Sequence, residues 1–246
     1  GRNVGQTAAL NIGFRHAETP WVARMDADDV SAPERFELQM WALAENPAIR
    51  CVGTAIWEFI SDPGVRRSVR KRPAGHDLIR RAALFGSGLF HGTVVVSRET
   101  VLEVGGYDER YRYASDRDLF FRLLRRHPAM NLSKPLVGIR QHGAQDSFSL
   151  KAADEYIEVF LKQLENGQYG PEERRILRKS LAYSHLFRAR YLGKYQALGS
   201  WSRDQLRALT LSPVTWGRHW AGVLAATALP GRACEALRGE FWRRAL

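Results

Sequence analysis

The sequence predicts an α/β fold, with a mixed sheet flanked by helices, followed by a helical C-terminal region. Short strand-like runs alternate with helical patterns up to about residue 140, as in a sheet that carries helices on its faces. From residue 151 onward the pattern is helical and shows no clear strand signal. The 246 residues, 45% of them hydrophobic, suffice for one substantial core and such an appendage. We therefore expect two regions, residues 1–150 and 151–246.

Three elements are predicted around an acidic loop near the start of the chain. Apolar residues at helical spacing indicate a short helix over residues 5–17. Residues 21–25 form a strand candidate that leads directly into the loop Asp26-Ala27-Asp28-Asp29, which a strand interior would not tolerate. Residues 49–59 resemble a second strand.

A helix is predicted between these strands, from Ser31 to about Glu45. Ser31 is expected to cap it, and Glu34, three residues later, would complete a capping box. Phe36, Met40 and Leu43 recur at helical spacing and predict one buried stripe.

The second half of the α/β region contains a basic segment and four further elements. Residues 61–75 are rich in Arg, Pro and Gly and are expected to form a mobile basic loop. Helices are predicted over residues 77–84 and 115–126, the latter capped by its first residue, a serine. Strands are predicted over residues 93–96 and 136–139.

The distribution of charge argues against a nucleic-acid partner for the α/β region. The chain carries a net charge of +11. Residues 171–246 hold 14 Lys/Arg and 5 Asp/Glu, which gives +9, so the first 170 residues are nearly neutral. The positive excess belongs to the tail.

Three further features concern the cellular location of the protein, membrane spanning and the start of the chain. Cys51 and Cys234 are too far apart to indicate a disulfide framework or a metal site, which favours a cytoplasmic location. The longest apolar run, 220–229, is far shorter than the roughly 20 residues of a spanning helix. Because the chain opens on turn residues without an initiator methionine, we expect an N-terminal truncation.

The acidic loop is the strongest candidate site. Asp26 and Asp28 place two carboxylates at the end of a strand, where both can reach one divalent cation, Mn²⁺ or Mg²⁺, that also takes diphosphate oxygens. A solvated turn that caps the next helix is the plainer alternative. The loop also fits the pattern of haloacid-dehalogenase-like phosphatases, although Arg24 is unexpected in the apolar strand of such a site. An EF-hand calcium loop fails because the required Gly and distal Glu are absent.

Several motifs in order resemble the family 2 glycosyltransferases. These motifs are Asn3-x-Gly5, Ala23-Arg24-Met25-Asp26-Ala27-Asp28-Asp29, Ser31-x-Pro33-Glu34-Arg35-x-Glu37-x-Gln39, Asn46-Pro47, His91-Gly92-Thr93, Gly105-Gly106-Tyr107-Asp108 and Ser115-Asp116-Arg117-Asp118. The resemblance covers about residues 1–150, and the joint pattern is far more specific than any single motif. It implies a GT-A-like, Rossmann-like fold that lacks its first strands here.

The resemblance also implies roles for the acidic residues. Asp28 corresponds to the direct metal ligand, and Asp26 to a residue that contacts the ribose or shares the ion, with Arg24 beside them on the donor side. Asp116 matches the catalytic base, which takes the proton of the acceptor hydroxyl. Ser115 departs from the usual Glu before that Asp, which puts a companion interaction in doubt. The structural alternative for Asp116 is stabilisation of the helix start.

Four more residues are assigned to the site by the resemblance. Arg140 is expected to offset phosphate charge, and His142 to complete the metal site or contact the diphosphate. His91 and Thr93 are expected on the acceptor side, with strand-end packing as the alternative. The glycine pair 105–106 is predicted to form a positive-φ turn.

The basic tail allows two interpretations. A helix with an amphipathic pattern is expected from Tyr183, Leu186, Phe187, Arg188, Arg190, Tyr191, Leu192 and Lys194, and Trp216, Trp220 and Trp242 add interfacial aromatics. This pattern suits docking on an anionic membrane surface, at the cytoplasmic face of the inner membrane. Packing of the helix against the rest of the protein explains it equally well.

The predicted activity is that of an inverting, metal-dependent glycosyltransferase of the hexosyltransferase type. It would move a sugar from a nucleotide-diphosphate donor to an acceptor hydroxyl on a saccharide or lipid-linked molecule, in the assembly of surface polysaccharide or glycolipid. A non-catalytic domain that binds a nucleotide sugar is the alternative that Ser115 leaves open.

Overall fold

The computed structural model describes residues 3–141, 149–194, 198–218 and 220. The chain divides into two compact units, residues 1–147 and 148–246. The first contains the sheet with its helices, and the regular secondary structure described for the second is entirely helical.

The described strands of the first unit form one six-stranded sheet. They are β1 (Trp21–Ala23), β2 (Val30–Ser31), β3 (Cys51–Phe59), β4 (Ser68–Arg70), β5 (Val95–Ser97) and β6 (Ala129–Arg140). Their order is β1-β5-β3-β6-β2, with β4 also paired to β3. Strands β3 and β6 are parallel and all other pairs are antiparallel. The sheet is therefore mixed, as the sequence predicts.

Five α-helices accompany this sheet in the described residues of the first unit. They are α1 (Gln6–His16), α2 (Arg35–Glu45), α3 (His76–Phe85), α4 (Arg98–Glu103) and α5 (Ser115–Leu123). The largest core cluster joins Phe14 of α1, Ile79 of α3, Val96 of β5 and Leu119 and Leu123 of α5. Burial of these apolar side chains holds the starts of α5 and β5 in fixed positions relative to the sheet.

Helix α2 differs from its prediction in both its start and its buried face. It begins at Arg35 without a side-chain cap, and Ser31 lies in β2 instead, so the predicted capping box was wrong. Phe36 and Met40 are 51% and 40% exposed, so the predicted stripe was wrong as well. The buried residues of the helix are Arg35, Gln39, Ala42 and Leu43. Two polar side chains occupy the inward face because backbone groups there bind them.

Other predictions were confirmed in outline and corrected in detail. The segment 61–75, expected to be a mobile loop, contains strand β4. Thr93 lies in a 3₁₀ turn rather than in a strand. Helix α5 begins at Ser115 but has no side-chain cap, and it ends at Leu123. Gly105 and Gly106 have φ values of +87° and +68°, which confirms the predicted positive-φ turn.

The second unit consists of α6 (Leu150–Glu165), α7 (Pro171–Lys194) and α8 (Leu198–Leu211), with helical residues beyond. Leu186 of α7 is buried with Ala182 and Ala208, and Trp216 packs against this cluster. The described part of the predicted amphipathic face thus contacts neighbouring helices, which supports the packing interpretation over membrane docking. In the described part of the chain, no helix combines the length and apolar character needed to cross a membrane.

Candidate active site

The acidic loop leaves the sheet at the end of β1 and returns to it at β2. The amide of Arg24 donates to the carbonyl of Val94 (2.9 Å), which fixes the start of the loop. The Arg24 side chain is buried, and its guanidinium makes two bonds of 2.6 Å to the two carboxylate oxygens of Asp26. Such a bidentate pair sets the orientation of Asp26 as well as its charge balance.

Asp29, the last residue of the loop, is a buried carboxylate. Its Oδ1 accepts a bond from the amide of Arg140 (3.1 Å), whereas Oδ2 has no hydrogen-bond partner among the described residues. Burial raises the pKa of Asp29 to about 6, and the charges of Asp26 and Asp28 act in the same direction. Burial therefore disfavours the charged form of Asp29.

The chemistry of this loop fits a hard divalent cation. Carboxylate oxygens are the ligands that Mg²⁺ and Mn²⁺ prefer, and the unpartnered Oδ2 of Asp29 lies beside the exposed Asp28. Both oxygens of Asp26 bind Arg24, so its part in a ligand set would need that pair to loosen. Within the described ranges no three His, Cys, Asp or Glu residues form a ready ligand set. His142, predicted as a ligand, lies outside these ranges.

Asp116 lies in the first turn of α5 and is partly buried. Its Oδ1 accepts a bond from the amide of Arg117 (2.7 Å). Burial raises the pKa of Asp116, while the charges of Arg117 and Arg24 lower it. The influence of Arg24 shows that this carboxylate lies within electrostatic range of the acidic loop.

His91 and Tyr107 form a neutral pair next to these acids. A hydrogen bond of 2.7 Å joins His91 Nε2 and the Tyr107 hydroxyl, and the edge of the Phe120 ring meets the imidazole. Burial lowers the pKa of His91 well below its usual value and raises that of Tyr107. Asp116 and Asp26 both add to the shift of Tyr107, so both carboxylates face the same phenol.

The structure thus brings five residues of the first unit into one electrostatic neighbourhood: Arg24, Asp26, His91, Tyr107 and Asp116. Four of them were singled out from the sequence as site residues. Their roles remain predictions. Tyr107 was noted only as part of a turn motif, and that motif was the signal that could have identified it.

Two predicted site residues have other surroundings in the structure. Thr93 is fully buried; its hydroxyl donates to the carbonyl of Phe90 and accepts from the amide of Thr54, so it does not line an acceptor surface. The Arg140 guanidinium donates to the carbonyls of Asp28 (3.2 Å) and Ile60 (3.1 Å). In this state Arg140 ties the acidic loop to the end of β3.

Arg35 and Gln39 of α2 connect the parts of the site through hydrogen bonds. The apolar pattern of α2 did not reveal that these two residues are buried. Arg35 donates to the carbonyl of Arg24 (2.9 Å) and to Gln39 (3.0 Å). Gln39 in turn donates to the carbonyls of Val52 (2.7 Å) and Thr93 (2.9 Å). Helix α2 is thereby bonded to the acidic loop, to β3 and to the turn that carries His91.

Comparison with known proteins identifies the family. The profile of Glycosyl transferase family 2 matches residues 1–127, about half of the chain, so the chain belongs to this family. The mannosyltransferase PcManGT from Pyrobaculum calidifontis, solved in complex with GDP-Man and Mn²⁺, shares the fold with a TM-score of 0.53 at 19% identity. The match covers 92% of this chain and 61% of that one. It confirms the predicted GT-A-like α/β fold.

Curated relatives include glycosyltransferases named for amylovoran and for O-antigen biosynthesis. The amylovoran biosynthesis glycosyltransferase AmsE of Erwinia amylovora is 31% identical over 140 residues, 56% of this chain and 52% of that one. The O-antigen biosynthesis glycosyltransferase WbnJ of Escherichia coli is 30% identical over 164 residues, 65% and 63% of the two chains. An Escherichia coli UDP-Gal:alpha-D-GlcNAc-diphosphoundecaprenol beta-1,3-galactosyltransferase is 28% identical over 112 residues, 46% and 40%. The chain spans about half the length of the first of these relatives.

Proposed function

We propose that the protein transfers a sugar from a nucleotide-diphosphate donor to an acceptor hydroxyl during the assembly of a surface polysaccharide or glycolipid. Family membership and the relatives in amylovoran and O-antigen biosynthesis support this class of reaction. The observation that carries the proposal is the approach of the His91 turn to the acidic loop. A Cβ at Gly92, next to His91, would lie 3.6 Å from Asp26 Oδ2, and His91 bonds the hydroxyl of Tyr107, on whose pKa the charge of Asp116 acts. An acidic loop and a separate carboxylate facing one space are what sugar transfer requires.

Asp116 is proposed as the catalytic base. As the acceptor oxygen forms its bond to the anomeric carbon, the hydroxyl proton passes to a carboxylate oxygen of Asp116, and the bond from that carbon to the diphosphate oxygen breaks. Attack from the face opposite the leaving group would invert the configuration. The raised pKa of Asp116 makes its carboxylate a stronger base than an exposed aspartate.

The acidic loop is proposed to bind the donor. Asp28, with the neighbouring Asp29, would hold a divalent cation, and Asp26 would contact the ribose or share the ion. When bound, such a cation neutralises the charge that develops on the departing diphosphate. Arg24 orients Asp26, and Arg140 holds the loop backbone at Asp28. The complex of PcManGT with GDP-Man and Mn²⁺ supports this assignment by analogy of fold.

His91 and Tyr107 are proposed to border the acceptor. Both are neutral near pH 7, so they can orient a hydroxyl by hydrogen bonding without competing for its proton. The acceptor is proposed to be a saccharide or a lipid-linked saccharide, used on the cytoplasmic side of the membrane. The diphosphoundecaprenol substrate named for one relative supports the lipid-linked form.

Substitution of the two carboxylates by amides tests the proposal. In the intact protein supplied with nucleotide sugars and Mn²⁺, we expect Asp116→Asn to lower kcat about 10²- to 10⁴-fold with little change in donor KM, because only proton transfer is lost. Asp28→Asn should weaken donor binding and reduce the response to Mn²⁺. Transfer to acceptor and hydrolysis of donor are measured side by side.

Asp77→Asn, at an exposed position in the first turn of α3, is the matched control and should retain activity. Equal activity in all three variants would refute the assigned roles. Donor binding without turnover in the unaltered protein would favour the non-catalytic alternative that Ser115 suggests.

A further inference from the structure

Three arginines cluster beside the proposed acceptor side of the site. The guanidinium carbon of Arg72 lies 4.4 Å from the centre of the Phe90 ring, and that of Arg70 lies 5.6 Å from the same centre. Arg117 is close enough for its charge to act on Arg72. We call Arg70, Arg72 and Arg117 the arginine cluster.

Arg72 is the least compensated member of the cluster. Its Nε is buried and has no hydrogen-bond partner among the described residues. No carboxylate of the described residues forms an ion pair with it. Burial, together with the charges of Arg70 and Arg117, lowers the pKa of Arg72 to about 10. A partly desolvated cation surrounded by like charges is costly unless an anion joins it.

Two acidic side chains lie near members of the cluster other than Arg72. Arg70 pairs with Glu58 (3.0 Å), which also accepts a hydrogen bond from Ser68. Asp116 lies next to Arg117 in sequence, and the charge of Arg117 lowers its pKa. Asp116 is also the proposed base.

The cluster is held on fixed backbone. Arg70 belongs to β4 and pairs with Ile56 of β3. Beyond Arg72, the carbonyls of Pro73 and Ala74 accept bonds from the side chain and amide of Asn131 (2.7 Å and 3.0 Å). The segment expected to be a mobile basic loop is therefore anchored on both sides of Arg72. Preorganised donors bind an anion at lower entropic cost.

The position of the cluster indicates which substrate it faces. The guanidinium groups of Arg70 and Arg72 lie over the ring of Phe90, and Phe90 directly precedes His91. Arg117 directly follows Asp116. Phe90 and Arg117 are therefore each adjacent in sequence to a residue that is proposed to act on the acceptor. The donor diphosphate, in contrast, is assigned to the acidic loop.

We propose that the arginine cluster binds the diphosphate of a diphosphate-linked acceptor, with Arg72 as its central contact. Planar guanidinium groups bind phosphate oxygens by pairs of hydrogen bonds, and the stacked, partly dehydrated Arg72 presents such a pair. The inference deepens the proposed function by giving the acceptor a charged group next to its sugar. The donor diphosphate has the same chemistry and is the alternative ligand of the arginine cluster.

Binding of inorganic pyrophosphate in EDTA tests the site without substrates. Because the donor subsite is proposed to need a cation, pyrophosphate bound in EDTA should report the arginine cluster. Calorimetry of the intact protein should show at least about tenfold weaker binding in Arg72→Gln and Arg117→Gln, since each loses charge-assisted hydrogen bonds. The affinity of Arg72→Lys for pyrophosphate should lie between those of the unaltered protein and Arg72→Gln, because lysine keeps the charge and loses the planar fork.

Arg67→Gln is the matched control, because Arg67 is an exposed arginine of the same hairpin. It should bind pyrophosphate as the unaltered protein does. Equal affinity in Arg72→Gln and Arg117→Gln, or an equal loss in Arg67→Gln, would overturn the proposal. Thermal unfolding of each variant identifies any loss due to misfolding, and Arg117→Gln then carries the test if Arg72→Gln is unstable.

Kinetics with two acceptors separate the acceptor from the donor. Arg72→Gln should raise KM at least about tenfold for a diphosphate-linked acceptor and leave KM for the matching neutral alkyl glycoside and for the donor unchanged. A raised donor KM with both acceptors would assign the cluster to the donor diphosphate and refute the proposal. Because the pyrophosphate assay needs no turnover, it remains decisive even if the proposed transfer activity fails.

Discussion

At the scale of single residues, Arg24 organises the candidate site. It is buried, binds both oxygens of Asp26, and acts electrostatically on Asp116 and His91. A buried cation of this kind is stable because carboxylates surround it. The charge of Arg24 lowers the pKa of Asp116 and adds to the effect of burial in lowering that of His91, so one side chain links donor and acceptor groups.

Asp29 gives a residue-scale prediction about pH. Its pKa is raised from 3.8 to about 6, so the folded state binds its proton more tightly than the unfolded state does. Stability contributed by the protonated form is therefore lost as pH rises from about 4 to 6. Asp29→Asn, which mimics that form, should gain stability over the unaltered protein across this window, by at most about 3 kcal/mol at pH 7.

Urea unfolding at pH 4, 5, 6 and 7 measures this difference. Asp77→Asn controls for the amide substitution itself and should show no such growth with pH. A stability difference for Asp29→Asn that stays constant over the four pH values would contradict the burial argument. Loss of the charge that Asp29 presents to Arg35 acts against the gain, which makes 3 kcal/mol an upper bound.

At the scale of elements, α2 positions the site through polar contacts. Its inward face carries Arg35 and Gln39, which bind the carbonyls of Arg24, Val52 and Thr93. These bonds engage backbone carbonyls at the end of β1, in β3 and in the 3₁₀ turn. The helix acts as a brace between the acidic loop and the turn that carries His91.

Removing this brace should destabilise the first unit. Gln39→Ala removes the hydrogen bonds to the carbonyls of Val52 and Thr93 and the bond from the Nε of Arg35, so we expect a loss of about 3 kcal/mol in the free energy of unfolding. Glu37→Ala, on the exposed face of the same helix, should change it by about 0.5 kcal/mol or less. Chemical denaturation of both variants is the measurement, and similar losses in the two would show that the network contributes little.

The same helix shows what the sequence could and could not predict. The existence of α2 and its end follow from local pattern, but its buried face does not, because apolar periodicity cannot signal buried Arg35 and Gln39. The acidic loop and the start of α5 were predictable because strand ends and helix starts are local features. Thr93 was misplaced because a short β-branched run fits a turn as well as a strand. The contacts of Arg72 depend on tertiary structure that no local pattern encodes.

At the scale of the whole molecule, the two units have different bases of stability. The first is a mixed sheet whose two edge strands, β1 and β2, are joined by the acidic loop, and its fold matches a known glycosyltransferase. In the second, His185 of α7 bonds to Asp204 of α8 (2.8 Å), and Arg188 pairs with the same carboxylate, all within a helical core. At least one basic residue of the tail, Arg188, thus takes part in the packing of the helices.

The central claim is that a cation on the acidic loop faces Asp116 across one cleft, and Mn²⁺ can report on it directly. In NMR spectra of the protein titrated with Mn²⁺, paramagnetic broadening should affect the amides of Asp28, His91 and Asp116 together. Asp28→Asn should remove the broadening at all three. Broadening of the loop amides that leaves His91 and Asp116 sharp would contradict the claim.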